Sequence, residues 1–264
     1  MSFKNVIHSS MLVVLMSTIS IAQVKTLAFK SGQLKNLRVK DAYDTKWPQL
    51  QSDLKEVKVN ANEFDIYLRA FKHEKIVEVW IKNQSEIRYK LFKTYDICAS
   101  SGDLGPKRKE GDNQVPEGFY RIDLFNPKSK YYLSMKISYP NSSDILLKEG
   151  VSAGGAIMMH GQCETIGCLP MTDDKIKELY VLCLEARNRN NPIYIDIFPA
   201  KFNPENMVML ESNYPKNKIK FWKSLKAGYD YFETNHWLPK INIDSKGNYI
   251  LSKDDIDAPN TLNN

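Results

Sequence analysis

Apolar and polar positions follow a strand-like pattern over residues 64–68 and again over 76–81, with the polar turn Lys72-His73-Glu74-Lys75 between them. Tyr89, Leu91, Tyr95 and Ile97 carry the same spacing on to Cys98. The pattern then stops. Residues 100–118 are rich in Gly, Pro and charge, which predicts a long loop, and a connection of that length is usually functional. Strands resume over 119–124 and 131–138, and the apolar run Ala156-Ile157-Met158-Met159 reads as a buried strand leading directly into His160.

After Cys168 the period becomes helical. Thr172 can cap, Asp173 and Asp174 fall in the first turn, and Ile176, Leu179, Cys183 and Ala186 share one face. A strand over 193–198 is closed by Pro199, and Asn203-Pro204-Glu205 opens a short helix with proline at its first position. A second helix carries Phe221, Trp222, Leu225, Tyr229 and Phe232 on its apolar face. Residues 241–251, with Ser245-Lys246-Gly247-Asn248 between apolar flanks, read as a closing hairpin. Upstream, residues 24–60 are polar with scattered apolar positions and a short helix around 47–57. The elements predict a sheet-dominated domain over residues 60–200. An N-terminal lead-in (23–59) precedes it and a mixed helical and hairpin extension (201–264) completes the chain, without internal repeats.

Composition changes this picture little. The chain of 264 residues is 42% hydrophobic and 11% aromatic, enough for one full core and against disorder. Its 37 basic residues against 31 acidic ones suit an anionic partner such as a carboxylate-rich polymer. They fall short of a nucleic-acid footprint, because no basic run is interleaved with aromatics and the densest cluster is Lys107-Arg108-Lys109.

The first residues read as a leader. Lys4 gives a positive start, Met11-Leu12-Val13-Val14-Leu15-Met16 an apolar centre, and Ser20-Ile21-Ala22 a small-residue exit. That layout predicts a cleavable secretory signal over 1–22 and an exported mature chain, in the periplasm or cell envelope. The rival, an uncleaved anchor, is disfavoured because Ser9, Ser10, Ser17, Thr18 and Ser20 interrupt an apolar stretch shorter than the roughly 20 residues a span needs. No later segment has the length or apolarity to cross a bilayer.

Export makes the cysteines informative. Cys183 falls on an apolar helix face and reads as a small buried hydrophobe, while His73 and His236 read as surface residues. The segment Met158-Met159-His160-Gly161-Gln162-Cys163-Glu164-Thr165-Ile166-Gly167-Cys168 puts one histidine and two cysteines close together. One reading is a cysteine nucleophile. His160 at a strand end meets a thiol brought back by the turn at Gly167, and backbone N–H groups around Gly167 and Cys168 stabilise an oxyanion. A second reading is a zinc site of His160, Cys163, Cys168 and Cys98, although the H-x2-C-x4-C spacing matches no known knuckle. A third is a Cys98–Cys163 disulfide beside a free Cys168, which is compatible with the first. The residues alone leave all three open.

A longer ordered series is more specific. It comprises Cys98-Ala99-Ser100-Ser101-Gly102-Asp103-Leu104-Gly105-Pro106-Lys107-Arg108, Glu110-Gly111-Asp112 and Pro116-Glu117-Gly118-Phe119-Tyr120. Asn126-Pro127, Tyr131-Tyr132-Leu133-Ser134, Tyr139-Pro140-Asn141, His160-Gly161-x-Cys163 and Ile166-Gly167-Cys168-x-x-Met171-Thr172 come next, then Phe221-Trp222 and Gly228-Tyr229-Asp230-Tyr231-Phe232. In this order, over residues 60–250, the chain resembles the L,D-transpeptidases of the YkuD fold, specifically their YafK-like branch.

The resemblance implies a mainly β fold: a β-sandwich catalytic domain with a few helices and a mixed α/β extension. It implies that Cys168 attacks the carbonyl of the diaminoacid at position three of a peptidoglycan stem peptide, with His160 as base and the Gly161 carbonyl orienting the imidazole. The terminal D-alanine leaves, and an amine acceptor, which can belong to a wall-attached protein, resolves the thioester. Resolution by water instead gives an L,D-carboxypeptidase or an amidase. The resemblance places substrate contacts at Tyr132, Ser134 and Tyr139 and in the 100–118 loop, and calls for no cofactor and no metal. A wall-binding module whose cysteines bind metal or pair is the non-catalytic alternative. Two departures from the wider family stand out: Ile166 occupies a position commonly held by a second histidine, and His160 lies only eight residues before Cys168. The branch shares this shortening. Gln162, Glu164 and Asn113 also depart from the branch pattern, and nothing in their chemistry explains them.

Overall fold

The computed structural model describes residues 21–189 and 191–252. The expected leader over 1–22 therefore lies outside the described residues except for its last two. Two helices, α1 (Ile21–Leu34) and α2 (Leu37–Glu56), lead into three antiparallel strands, β1 (Phe64–Phe71), β2 (Ile76–Asn83) and β3 (Lys90–Asp96). After a long loop come β4 (Gly118–Asn126), β5 (Ser134–Ile137), the short α3 (Ser142–Leu146), β6 (Met158–His160) and β7 (Leu169–Pro170). Helix α4 (Asp173–Arg187) precedes β8 (Tyr194–Phe198), and α5 (Pro204–Asn213), α6 (Lys216–Asn235) and the hairpin β9 (Ile241–Ile243) and β10 (Tyr249–Leu251) complete the chain.

The first eight strands form one mixed sheet in the order β3-β2-β1-β8-β4-β5-β6-β7. The mainly β expectation with a few helices therefore holds. Pairing is parallel between β1 and β8 and between β6 and β7, and antiparallel elsewhere. Strand β4 spans two partners: residues 118–121 pair with β8, and the part beyond Ile122 pairs with β5 after a register shift. One irregular strand thus connects the long central strands to the short ones that carry the site, and the shift re-aims the rest of β4, as β-bulges do.

Helix α4 lies at the heart of the core. Thr172 accepts a hydrogen bond from Lys175 N and caps it, Asp173 and Asp174 complement its positive end, and Ile176, Leu179 and Cys183 are fully buried. Burial holds the Cys183 thiol far above the ordinary cysteine range, consistent with an inert packing residue. Against α4 lies α2, with Val39, Ala42, Trp47, Leu50 and Leu54 buried in the same core. This helix begins ten residues before the 47–57 segment the sequence suggests. Pro48 sits inside the helix on its exposed side, and Asn36 caps the start by accepting from Arg38 N. A second cluster, built from Phe71, Phe198, Phe202, Phe221, Trp222 and Tyr229, docks α5, α6 and the terminal hairpin onto the ends of β1 and β8. Each such aromatic contributes about 1.5–3 kcal/mol by leaving water. No helix among the described residues is long and apolar enough to cross a membrane.

Candidate active site

Strands β6 and β7 are three and two residues long, and the site is built on their register. Met159 pairs with Leu169 and His160 with Pro170. Met159 and Leu169 are buried in the core. Side chains alternate along a strand, so His160 takes the face opposite Met159, while Cys168 stands in the bend immediately before β7. The backbone is held tightly here: Met171 N donates to His160 O at 2.8 Å, and Cys98 N donates to Pro170 O at 3.1 Å.

His160 is 2% exposed. Its Nδ1 lies 2.6 Å from the carbonyl oxygen of Gly161. A carbonyl can only accept, so Nδ1 carries the proton and Nε2 is left as the basic nitrogen. The Tyr131 ring lies over the imidazole at 4.7 Å and 31°. Burial lowers the His160 pKa below its ordinary value, partly offset by the Gly161 hydrogen bond. Gly161 itself is sterically required: a Cβ would lie 2.5 Å from Asp173 Oδ1 and 3.0 Å from Tyr131 O. Asp173 Oδ1 accepts from Gln162 N at 2.9 Å, tying this loop to the start of α4.

The three readings of the cysteines now separate. Cys98 and Cys163 form a disulfide with Cα atoms 5.4 Å apart, which removes two sulfurs from the zinc set, and Cys168 is a free, half-buried thiol. Its Sγ donates to Ala156 O at 3.9 Å. Burial raises its pKa, opposed by a backbone hydrogen bond at Met158 and by the charge of Lys107. Thr165, which sequence reasoning passed over, organises the turn. Its Oγ1 accepts from Cys168 N at 2.8 Å and Gly167 N at 3.2 Å, and donates to Cys168 O at 2.9 Å. A hydroxyl three residues before a tight turn is the local signal that would have found it. These two N–H groups therefore point at Thr165 rather than into an oxyanion hole, a correction to the expected role of Gly167. What Gly167 supplies is conformational: φ is +132°, and a Cβ would meet Gln114 O at 3.0 Å.

Cys168 opens onto a cavity of about 330 Å³. Its walls come from the β1–β2 turn, the chain after β3, and the end of α5 with Tyr214. The 100–118 loop contributes Ser100 to Leu104 and Val115. The C-terminal extension closes over this loop: Trp222 Nε1 donates to Glu117 Oε2 at 2.7 Å, Lys218 Nζ to Leu104 O at 2.8 Å, and Tyr214 OH to Asp103 Oδ1 at 2.9 Å. None of Tyr132, Ser134 and Tyr139 lines the cavity. Tyr139 is buried and donates to Ala153 O at 2.8 Å. Tyr132 sits beside Lys177 and Arg38, on the α2–α4 side. Ser134 pairs directly with His160 across β5 and β6, and its buried hydroxyl has no hydrogen-bond partner among the described residues. A wider groove of about 1160 Å³, between α3, β4, β8 and β9, includes neither His160 nor any cysteine.

Comparison with known proteins gives the chain's family. Residues 65–197 match the YkuD family model, described as the L,D-transpeptidase catalytic domain. The chain is 34% identical over 202 residues to the protein named "Putative L,D-transpeptidase YafK" of Escherichia coli K12, covering 75% of this chain and 78% of the relative, and matches its O157:H7 counterpart equally. Among solved structures, the helical cell shape determining protein Pgp2 of Campylobacter jejuni aligns with a TM-score of 0.42 at 17% identity, over 74% of this chain and 80% of that one. Bd1075 of Bdellovibrio bacteriovorus aligns with a TM-score of 0.37 at 16% identity, over 69% and 78%. The family match and the YafK relatives establish that this chain belongs to the L,D-transpeptidase catalytic domain family.

Proposed function

We propose that the chain is an exported cysteine L,D-transpeptidase acting on peptidoglycan stem peptides, with Cys168 as nucleophile and His160 as base. The observation that carries this reading is the pairing of β6 with β7. It supports the reading by bringing the end of the strand that carries the buried imidazole beside the start of the strand that follows the free thiol on the cavity wall, with Nδ1 engaged by Gly161 O and Nε2 left as the basic nitrogen.

Both groups rest uncharged, because burial lowers the imidazole pKa and raises the thiol pKa. The sulfur therefore loses its proton to Nε2 as it attacks, rather than waiting as a thiolate beside an imidazolium. A carbon–sulfur bond forms at the carbonyl of the diaminoacid. The bond to the terminal D-amino acid breaks, and the imidazolium returns its proton to the departing amine. An acceptor amine then attacks the thioester, giving up a proton to Nε2, and Cys168 leaves as the thiol. Water in the amine's place makes the same site a carboxypeptidase or amidase. Export is supported by the leader pattern and by the Cys98–Cys163 disulfide, since such bonds persist in oxidising compartments.

The test is mass spectrometry of tetrapeptide muropeptides incubated with the mature protein, with and without an amine acceptor. New amide-linked products that require Cys168 support the transpeptidase, and shortened stems alone make the protein a hydrolase. Activity retained by Cys168→Ala would remove the cysteine mechanism altogether.

A further inference from the structure

The turn that carries Cys168 commits its own N–H groups to Thr165, so the negative charge that develops on an attacking sulfur has to be met from outside the turn. Lys107 is placed to meet it. Although it belongs to a long loop, this lysine is only 5% exposed. Its ammonium donates to Asp112 Oδ1 at 2.6 Å and to Lys109 O at 2.9 Å. Asp112 is fixed by the backbone around it: Oδ2 accepts from Arg108 N at 2.9 Å and Lys109 N at 3.0 Å, and Oδ1 from Gln114 N at 3.1 Å. This knot touches both sides of the thiol's turn. On one side the Lys107 stem lies against Gly154, where a Cβ would stand 3.2 Å from Lys107 Cε, and two residues on Ala156 O accepts from Cys168 Sγ. On the other, Gln114 O lies 3.0 Å from the place a Cβ on Gly167 would take.

The other charged groups around the sulfur are balanced or screened. Across the cavity, Lys72 pairs with Glu117 at 2.9 Å and feels the charge of Asp103, whose Oδ1 accepts from Tyr214 OH. His73 and Lys75 lie exposed on the β1–β2 turn, where solvent screens them. His160 rests uncharged, because burial disfavours its protonated form. Beside Lys107, Arg108 faces Asp144 at 3.7 Å, and Lys109 and Glu110 are exposed. Burial works against the Cys168 anion, and a backbone hydrogen bond at Met158 and the charge of Lys107 work for it.

We infer that Lys107, held by Asp112, is a positioning residue for the nucleophile: a fixed positive charge behind Gly154 and Ala156 that favours the anionic sulfur as Cys168 attacks. Lys107 is not among the residues that line the cavity, so it acts on the substrate only through the sulfur. It neither gives nor takes a proton, and the Cys168 proton still passes to His160 Nε2. A mobile surface lysine would do little here, because solvent screens it. Burial and the Asp112 knot remove that screening and fix the charge in place. The inference rests on the proposed mechanism for what the sulfur attacks, but the effect on the thiol needs no peptidoglycan substrate.

The test is the rate at which iodoacetamide, an uncharged reagent, alkylates the full mature chain, followed from neutral pH to beyond the alkaline limb. Of the four cysteines only Cys168 reacts, because Cys98 and Cys163 are bonded and Cys183 is fully buried. Lys107→Gln can still donate to Asp112 and Lys109 O, so it removes the charge and keeps a donor in the knot. It is expected to slow alkylation at neutral pH by about three- to tenfold, through a smaller thiolate fraction. The gap should close at high pH, where the thiol is ionised in both proteins. Lys107→Arg, which restores the charge, should recover most of the loss. A rate that Lys107→Gln leaves unchanged overturns the inference. So does a rate lowered equally at every pH, which is what a merely structural loop residue would give. Turnover of stem peptides is read separately. The shifted alkylation profile without turnover upholds Lys107 and removes the transpeptidase reading, and turnover with an unshifted profile does the reverse.

Discussion

Cys98, at the exit of β3, is joined to Cys163, five residues before Cys168, by a disulfide spanning 65 residues. The bond ties the loop that bears the thiol to the segment after β3 that walls the cavity. In the chain-entropy account, closing a loop of this length restricts the unfolded state by up to about 4 kcal/mol. Replacing both cysteines by serine is expected to lower the melting temperature by roughly 10 °C. It should also lower turnover of stem peptides more than it lowers their binding, because the loop carries the thiol. Unchanged melting and turnover would mean that the Cys98 N to Pro170 O hydrogen bond and the β6–β7 pairing hold the loop by themselves.

Gly167 is the sharpest steric requirement near the thiol. At φ +132° a side chain is strained, and a Cβ would press on a backbone carbonyl, Gln114 O, that has no rotamer to escape into. Gly167→Ala is expected to cost on the order of 1–3 kcal/mol and to displace Cys168, with loss of thiol labelling by an acylating probe. A variant that melts and labels like the parent would show that the turn has more freedom than its geometry implies.

Local periodicity made much of this fold legible. The strand pairs at 64–83, the face of α4 and the aromatic face of α6 were all readable, because each repeats one burial pattern over several residues. Helix α1 was not, and α2 was legible only over its second half, since its composition is strongly polar. The pair β6 and β7 is too short for any period to register. His160 and Cys168 were visible by residue type, but choosing among metal, disulfide and nucleophile needed the fold, which alone brings Cys98 to Cys163. The same holds for the cavity. His73 reads as a solvated turn residue and is exposed in the fold; that it also lines the cavity of Cys168 depends on where the fold sets the β1–β2 turn.

Glu117 is the keystone beneath the cavity. It is fully buried, pairs with Lys72 at 2.9 Å, and accepts from Gly105 N and Trp222 Nε1, each at 2.7 Å. Glu117→Gln keeps the shape and leaves the Lys72 ammonium buried without its counter-charge. Breaking one partner of a buried pair is expected to cost about 3–5 kcal/mol, measured by urea unfolding. Lys72→Met together with Glu117→Gln should recover part of that loss, since it removes the uncompensated charge. A single variant within about 0.5 kcal/mol of the parent would mean that water reaches Lys72.

The pH profile distinguishes an uncharged resting pair from a preformed ion pair. Burial lowers the His160 pKa from its ordinary 6.5 and raises that of Cys168 from 9.0. In the proposed mechanism, activity requires a neutral imidazole to take the proton and a thiol to give it. The acid limb of kcat/KM is therefore expected below pH 6.5 and the alkaline limb above 9.0, with a plateau between them. A thiolate–imidazolium pair would instead put the Cys168 limb on the acid side. Stability carries the same sign. Because the folded state binds the His160 proton less readily than the unfolded chain, its contribution is complete above pH 6.5 and is lost as pH falls through the folded-state value. His160→Gln should flatten that acid-side loss, measured as melting temperature between pH 7 and pH 5. A parent profile with its acid limb above 6.5, or a loss of stability that His160→Gln leaves untouched, would place the proton elsewhere.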